Sequence, residues 1–139
     1  MKIFSIFVIS FFLNLIWENL HSLLYVGYKG GAITEFILIR AALGDAVIIT
    51  LLALLFIWKL RTPQESWLMV IAGVFVSIAI EWYALHTGRW AYNQYMPIIP
   101  LLDVGLTPTV QLGFLGYVSY WLIMPSSKRK TRQSRSDDL

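Results

Sequence analysis

Cysteine is absent from this 139-residue chain. Disulfides, thiolate zinc sites, iron–sulfur clusters, cysteine nucleophiles and CxxC redox chemistry are therefore excluded. Charge is scarce too, at 14% of residues, where a soluble domain carries about 25%. No internal repeat is visible, and no A-x-A-like cleavage site follows the first apolar run, so that run reads as a retained helix. Apolar residues are abundant instead. They make up 58% of the chain, and the mean hydropathy is +0.66. This composition excludes a disordered chain, a nucleic-acid module and an ordinary soluble enzyme, and it points to a polytopic membrane protein of one domain.

Four apolar stretches, at about 3–26, 36–60, 66–86 and 104–124, are each long enough to span, since about 20 residues cross the hydrocarbon. The expected fold is all-α, an integral membrane four-helix bundle over 1–125. Gly30 and Gly31 mark the first loop. Residues 61–65 make a tight second one, with Pro63 near the start of the third helix. The third connection, 88–103, is aromatic and apolar, and Pro97 and Pro100 prevent a long helix there. It is expected to lie at the interface or to re-enter the bundle. Pro125 closes the fourth helix, and 126–139 read as a disordered basic tail.

Cations set the orientation. Four spans place Lys2, Lys59, Arg61, Lys128, Arg129, Lys130, Arg132 and Arg135 on one side and Lys29, Arg40 and Arg89 on the other. The positive-inside rule then puts both termini in the cytoplasm of a cell with an inner (cytoplasmic) membrane. The tail is a topology determinant and can also press on anionic lipid.

Ionisable residues inside spans are expensive, roughly 2.5–3.5 kcal/mol each on insertion scales, and point to function. In helix 1, Asn14, Glu18, His21 and Tyr25 fall on one helical face. Helix 2 carries Arg40 and Asp45 near its outer end. Helix 3 carries Ser77 and Glu81 on one face, with His86 on another face shared with Trp82 and Arg89. Helix 4 carries Thr107 and Gln111. Helical rise puts Glu18, Asp45, Glu81 and Gln111 at one height in the outer half, so a polar pocket opening outward is expected above an apolar inner half. Three chemistries fit. Glu18-x-x-His21 has the spacing of carboxylate metal bundles, although Glu81 and His86, five apart, do not complete such a set. Glu–His or Glu–Arg pairs can simply neutralise buried charge. A carboxyl kept as a neutral acid can transfer protons. Arg40 is the expected counter-ion of Asp45 or of a carboxylate on a neighbouring helix, or a ligand for lipid phosphate.

Tyr25, Tyr28, Trp90, Tyr92 and Tyr95 read as the outer aromatic belt, and Trp58, Trp67, Tyr120 and Trp121 as the inner one. Trp17, Trp82 and Tyr83 sit at pocket depth, where their faces can line a ligand slot. Gly113 with Gly116, and Gly44 with Ala41, read as close helix contacts.

Taken together, Trp17-Glu18-x-x-His21-x-x-x-Tyr25, Gly44-Asp45-Ala46, Glu81-Trp82-x-Ala84, Arg89-Trp90-Ala91-Tyr92-x-x-x-Met96-Pro97 and Gly105-Leu106-Thr107-Pro108-x-x-Gln111 resemble a family of small bacterial four-span membrane proteins. The resemblance covers roughly 14–124 and implies membership without a chemistry. Gly88-Arg89-Trp90-Ala91-Tyr92-Asn93, followed by a proline-rich approach to the last helix, is also similar to membrane lycopene-cyclase-type and carotenoid-hydratase proteins. Those enzymes protonate an isoprenoid double bond with buried carboxylic acids. Where the cyclases carry paired acids, this chain reads Thr107-Pro108-Thr109-Val110-Gln111.

The functional expectation is binding of, or acid/base chemistry on, a lipid-like or isoprenoid substrate. Glu18, Glu81 and Asp45 supply acid or base, and His21 or His86 relays protons. Arg40 and Arg89 hold an anionic head group. Asn14, Trp82, Trp90, Tyr92, Asn93 and Gln111 line the substrate site, and the segment from Trp90 to Pro100 forms a lid. No cofactor, metal or nucleic-acid partner is expected, and a homo-oligomer is possible. The alternative is a non-catalytic scaffold or transporter subunit whose buried charges only pair.

Overall fold

The computed structural model describes residues 1–59 and 66–124. The expected second loop with Pro63, the stop at Pro125 and the basic tail lie outside these residues. Among the described residues the chain is mostly helical, with α1 Lys2–His21, α2 Glu35–Lys59, α3 Trp67–His86 and α4 Leu106–Ile123. Two small antiparallel ladders join them: β1 Tyr25–Tyr28 with β2 Trp90–Tyr92, and β3 Ile98–Ile99 with β4 Val104–Gly105.

Three helices, α1 through α3, are long and apolar enough to cross a membrane. Their flanks leave Phe12, Ile16, Leu51, Leu54 and Phe75 exposed, a surface suited to lipid rather than water. The fourth helix is shorter, at 18 residues, and is diluted by Thr107, Pro108, Thr109, Gln111 and Ser119. The reason is position. Helix α4 buries Thr109, Gln111, Leu112, Gly113, Gly116 and Ser119 because it packs against α1, α2 and α3. Small and polar side chains are tolerated where neighbouring helices, not lipid, form the surroundings.

The tightest contact is between α3 and α4. A Cβ on Gly73 would sit 2.5 Å from Gly113 Cα, and one on Gly113 would sit 2.5 Å from the Val70 carbonyl oxygen. Helix α1 packs along α2, while α2 and α3 touch sparsely. Away from the ladders, Ile6, Ile49, Met69, Leu112 and Leu115 close one half of the molecule with apolar packing. Tyr120, expected in an aromatic belt, belongs to this core and is 8% exposed.

The ladders cap the opposite end. Helix α1 stops earlier than its apolar run suggests. A 3₁₀ turn, Ser22–Leu24, follows His21, and Tyr25 is already extended. Tyr25 is therefore a strand residue rather than the last member of a helical stripe. Pairing with 90–92 supplies the backbone partners that end the helix. Helix α3 ends in a Schellman motif: Gly88 at φ +65 lets its own N–H reach the Leu85 carbonyl and the Arg89 N–H reach that of Ala84. The reversal turns the chain straight into β2.

Candidate functional site

Side chains of α1 and α2 converge on Gln111 of α4. Its amide nitrogen Nε2 lies 3.0 Å from Asn14 Oδ1, 2.7 Å from Glu18 Oε1 and 2.8 Å from Asp45 Oδ2. Asn14 is fully buried and anchored by its own amide, which donates to the Ser10 carbonyl at 2.8 Å. Glu18 and Asp45 thus meet at the same amide nitrogen. A primary amide carries two hydrogens, and three oxygens surround this one. Two hydrogens cannot serve all three oxygens, and two bare carboxylates at this point would repel each other.

Counter-charge does not do that work. Among the described residues no ion pair of 4.0 Å or less forms. Arg40, expected as a counter-ion, is exposed one and a half turns into α2, with its guanidinium 5.9 Å from the centre of the Phe36 ring. It leaves Asp45 because the two are five residues apart and so diverge around the helix. Arg89 likewise lies over Tyr83, at 5.2 Å.

Glu81 forms a second centre. It is 5% exposed. Its carboxylate accepts from Tyr92 Oη, from Trp90 Nε1 at 3.3 Å and, at a longer 3.5 Å, from Tyr25 Oη. Tyr92 Oη in turn accepts from the Gly105 N–H at 2.9 Å. One carboxylate thus ties α3 to both strands of the first ladder and, through Tyr92, to the start of α4. Burial first, and then the neighbouring Glu81, push the Tyr25 and Tyr92 hydroxyls well above the ordinary tyrosine range, so both remain donors.

The two centres border one partly open cavity of about 370 Å³, a volume within the range of small-molecule sites. Glu18, Asp45, Gln111 and Glu81 line it, with Arg40, Arg89 and Trp90 also in its wall. Ile37, Leu38, Ile48, Ile80 and Leu112 make the apolar wall. His21 contributes its imidazole, held edge-on to Tyr25 with ring centres 4.8 Å apart, and neither ring nitrogen has a partner.

Other expected site residues stand elsewhere. Trp82 is 57% exposed, and His86 stacks on it with ring centres 4.2 Å apart while its Nδ1 lies 2.8 Å from the Trp82 carbonyl. Both occupy the face of α3 turned away from Glu81, so neither lines the cavity and His86 is no relay. Asn93 clamps backbone: its amide donates to the Leu23 carbonyl at 2.6 Å, and its Oδ1 accepts from the Tyr95 N–H at 2.9 Å. Tyr92 reaches the site only through Glu81. Trp90 and Tyr92 sit in β2, so the start of the expected lid is a paired strand. Gly44 makes no close helix contact: nothing lies within 4 Å of a Cβ placed there, and the residue is exposed and lines the cavity.

Sequence spacing singled out Ser77 only as a neighbour of Glu81. It is 3% exposed, lines the cavity, and its hydroxyl has no partner. Among the described residues no group of three His, Cys, Asp or Glu side chains could hold a metal. Comparison with family models, curated proteins and solved structures finds no match.

Proposed function

We propose that this chain is a four-helix integral protein of a bacterial inner (cytoplasmic) membrane, with both termini cytoplasmic, and that it binds a lipid-like or isoprenoid molecule and acts on it by acid/base chemistry. It belongs, in this proposal, to the small four-span family that its motifs resemble. The cavity then opens in the outer half of the bilayer. The observation that carries the proposal is the Glu18–Asp45 pair, bridged by Gln111 with no cation beside it, at the wall of an apolar cavity. Two carboxyls sharing a proton make an acid and a base in one place. His21 stands next along the wall as acceptor or relay. Arg40 and Arg89 stand in the same wall.

A second function is supported by Glu81. Three donors saturate it, which suits a structural strut in a non-catalytic scaffold or transporter subunit. The two functions separate on purification. Lipid mass spectrometry of the detergent-extracted protein should find a stoichiometric amphiphile, and Glu18→Gln or Asp45→Asn should change its turnover rather than its presence. A ligand-free protein in which Glu18→Gln and Glu81→Gln both melt lower would establish the scaffold instead.

A further inference from the structure

We propose that the cavity is filled sideways, through a portal between α2 and α3 at Gly44, by a membrane-dissolved amphiphile whose uncharged hydroxyl head is held by His21 and Ser77. This rests on the proposed membrane location but not on any catalysis.

Two observations meet at the portal. Gly44 is at once on the outer surface of α2 and in the cavity wall, and the space where its side chain would stand is empty. Across the gap Ser77 and Ile80 of α3 line the same cavity, and α2 and α3 are the neighbouring helices with the sparsest contact.

The head group follows from what is left unpaired. His21 is 6% and Ser77 3% exposed, and neither ring nitrogen of His21 nor the Ser77 hydroxyl has a partner. Buried polar groups normally have one. A neutral imidazole and a hydroxyl together donate and accept, which an alcohol matches. A phosphate at this depth would face Glu18, Asp45 and Glu81 with Arg40 exposed at the rim, and an ammonium group, which only donates, would leave the imidazole N–H and the Ser77 hydroxyl hydrogen without an acceptor.

The natural absence of cysteine makes the test direct. A single Ile80→Cys variant of the full chain in liposomes is exposed to a lipid-soluble alkyl maleimide and to a membrane-impermeant sulfonated maleimide. The lipid-soluble reagent should label Cys-bearing protein. Gly44→Leu should abolish that labelling, while Gly44→Ala, which has room for its methyl group, should preserve both labelling and melting temperature. In parallel, 1-hexadecanol should raise the melting temperature, and hexadecyl phosphate and hexadecylamine should not. His21→Phe should weaken the hexadecanol response about tenfold, the size of one lost hydrogen bond to an uncharged group. Labelling by the aqueous reagent that is unchanged in Gly44→Leu overturns the portal. A stronger response to the phosphate or the amine overturns the head-group assignment. Either failure leaves the Glu18–Asp45 acid/base proposal standing, because that proposal is judged by turnover in Glu18→Gln.

Discussion

At the scale of single residues the two glutamates differ in kind, although the sequence presents them alike. Glu18 shares Gln111 with Asp45, so an amide in its place keeps a donor and an acceptor where a neutral acid had them. Glu81 accepts from three donors, and an amide there turns an NH2 group toward a tyrosine or tryptophan hydrogen. Glu18→Gln should therefore leave the melting temperature in detergent nearly unchanged. Glu81→Gln should destabilise the fold by about 1–3 kcal/mol, the usual range for a buried polar group left unsatisfied. Thermal melts of the two variants side by side check the asymmetry, and equal losses would remove it. The sequence marked both residues by their rarity inside apolar runs. Which carboxyl is bridged to another and which is a strut depends on Trp90 and Tyr92, residues 9 and 11 positions along the chain that a reversal at Gly88 brings back.

At the scale of elements, the α3–α4 seam and the capping ladder behave differently. The seam is backbone against backbone, so Gly113→Ala would push a methyl group into the Val70 carbonyl, and neither partner is a flexible side chain. A loss of about 1–3 kcal/mol is expected, as for other overpacked interiors, and the amount of folded protein on size exclusion reports it. The ladder is held through tyrosine hydroxyls whose ionisation burial opposes. A folded-state value raised above the unfolded one means the contribution is complete below the ordinary tyrosine value of about 10 and is lost as pH rises beyond it. Stability should thus be flat through neutral pH and fall above about pH 10. Tyr92→Phe should be less stable at neutral pH but show a shallower alkaline fall, measured as melting temperature against pH. The length of the apolar runs located α1, α2 and α3 to within a few residues. It carried α1 too far, through Tyr25, because an extended apolar strand continues the same hydrophobic run.

For the whole molecule, the split of eight cations against three across the proposed topology yields one further expectation. Reporter fusions after Leu139 should report cytoplasm, and fusions at 27–35 the exterior. A C-terminus outside would invert the molecule and put the cavity in the inner leaflet. The amino-acid sequence alone established that α1 through α3 are helices long and apolar enough to cross a membrane, because length and hydropathy are local sums along the chain. It also placed Glu18, Asp45, Glu81 and Gln111 at similar heights, because rise per residue is constant in a helix. Azimuth was another matter. A height does not say which neighbour a side chain meets, and that depends on how four helices are rotated against one another. Only packing decided that Asn14, Glu18 and Asp45 meet at Gln111, that Arg40 leaves Asp45 for Phe36, and that Trp82 and His86 turn outward. The backbone contact of Gly73 with Gly113 draws α3 onto α4, while no neighbour fills the space at Gly44. Two glycines of equal standing in the sequence thus became a seam and a gap, because a missing side chain permits either one, and only the position of the neighbouring helix selects between them.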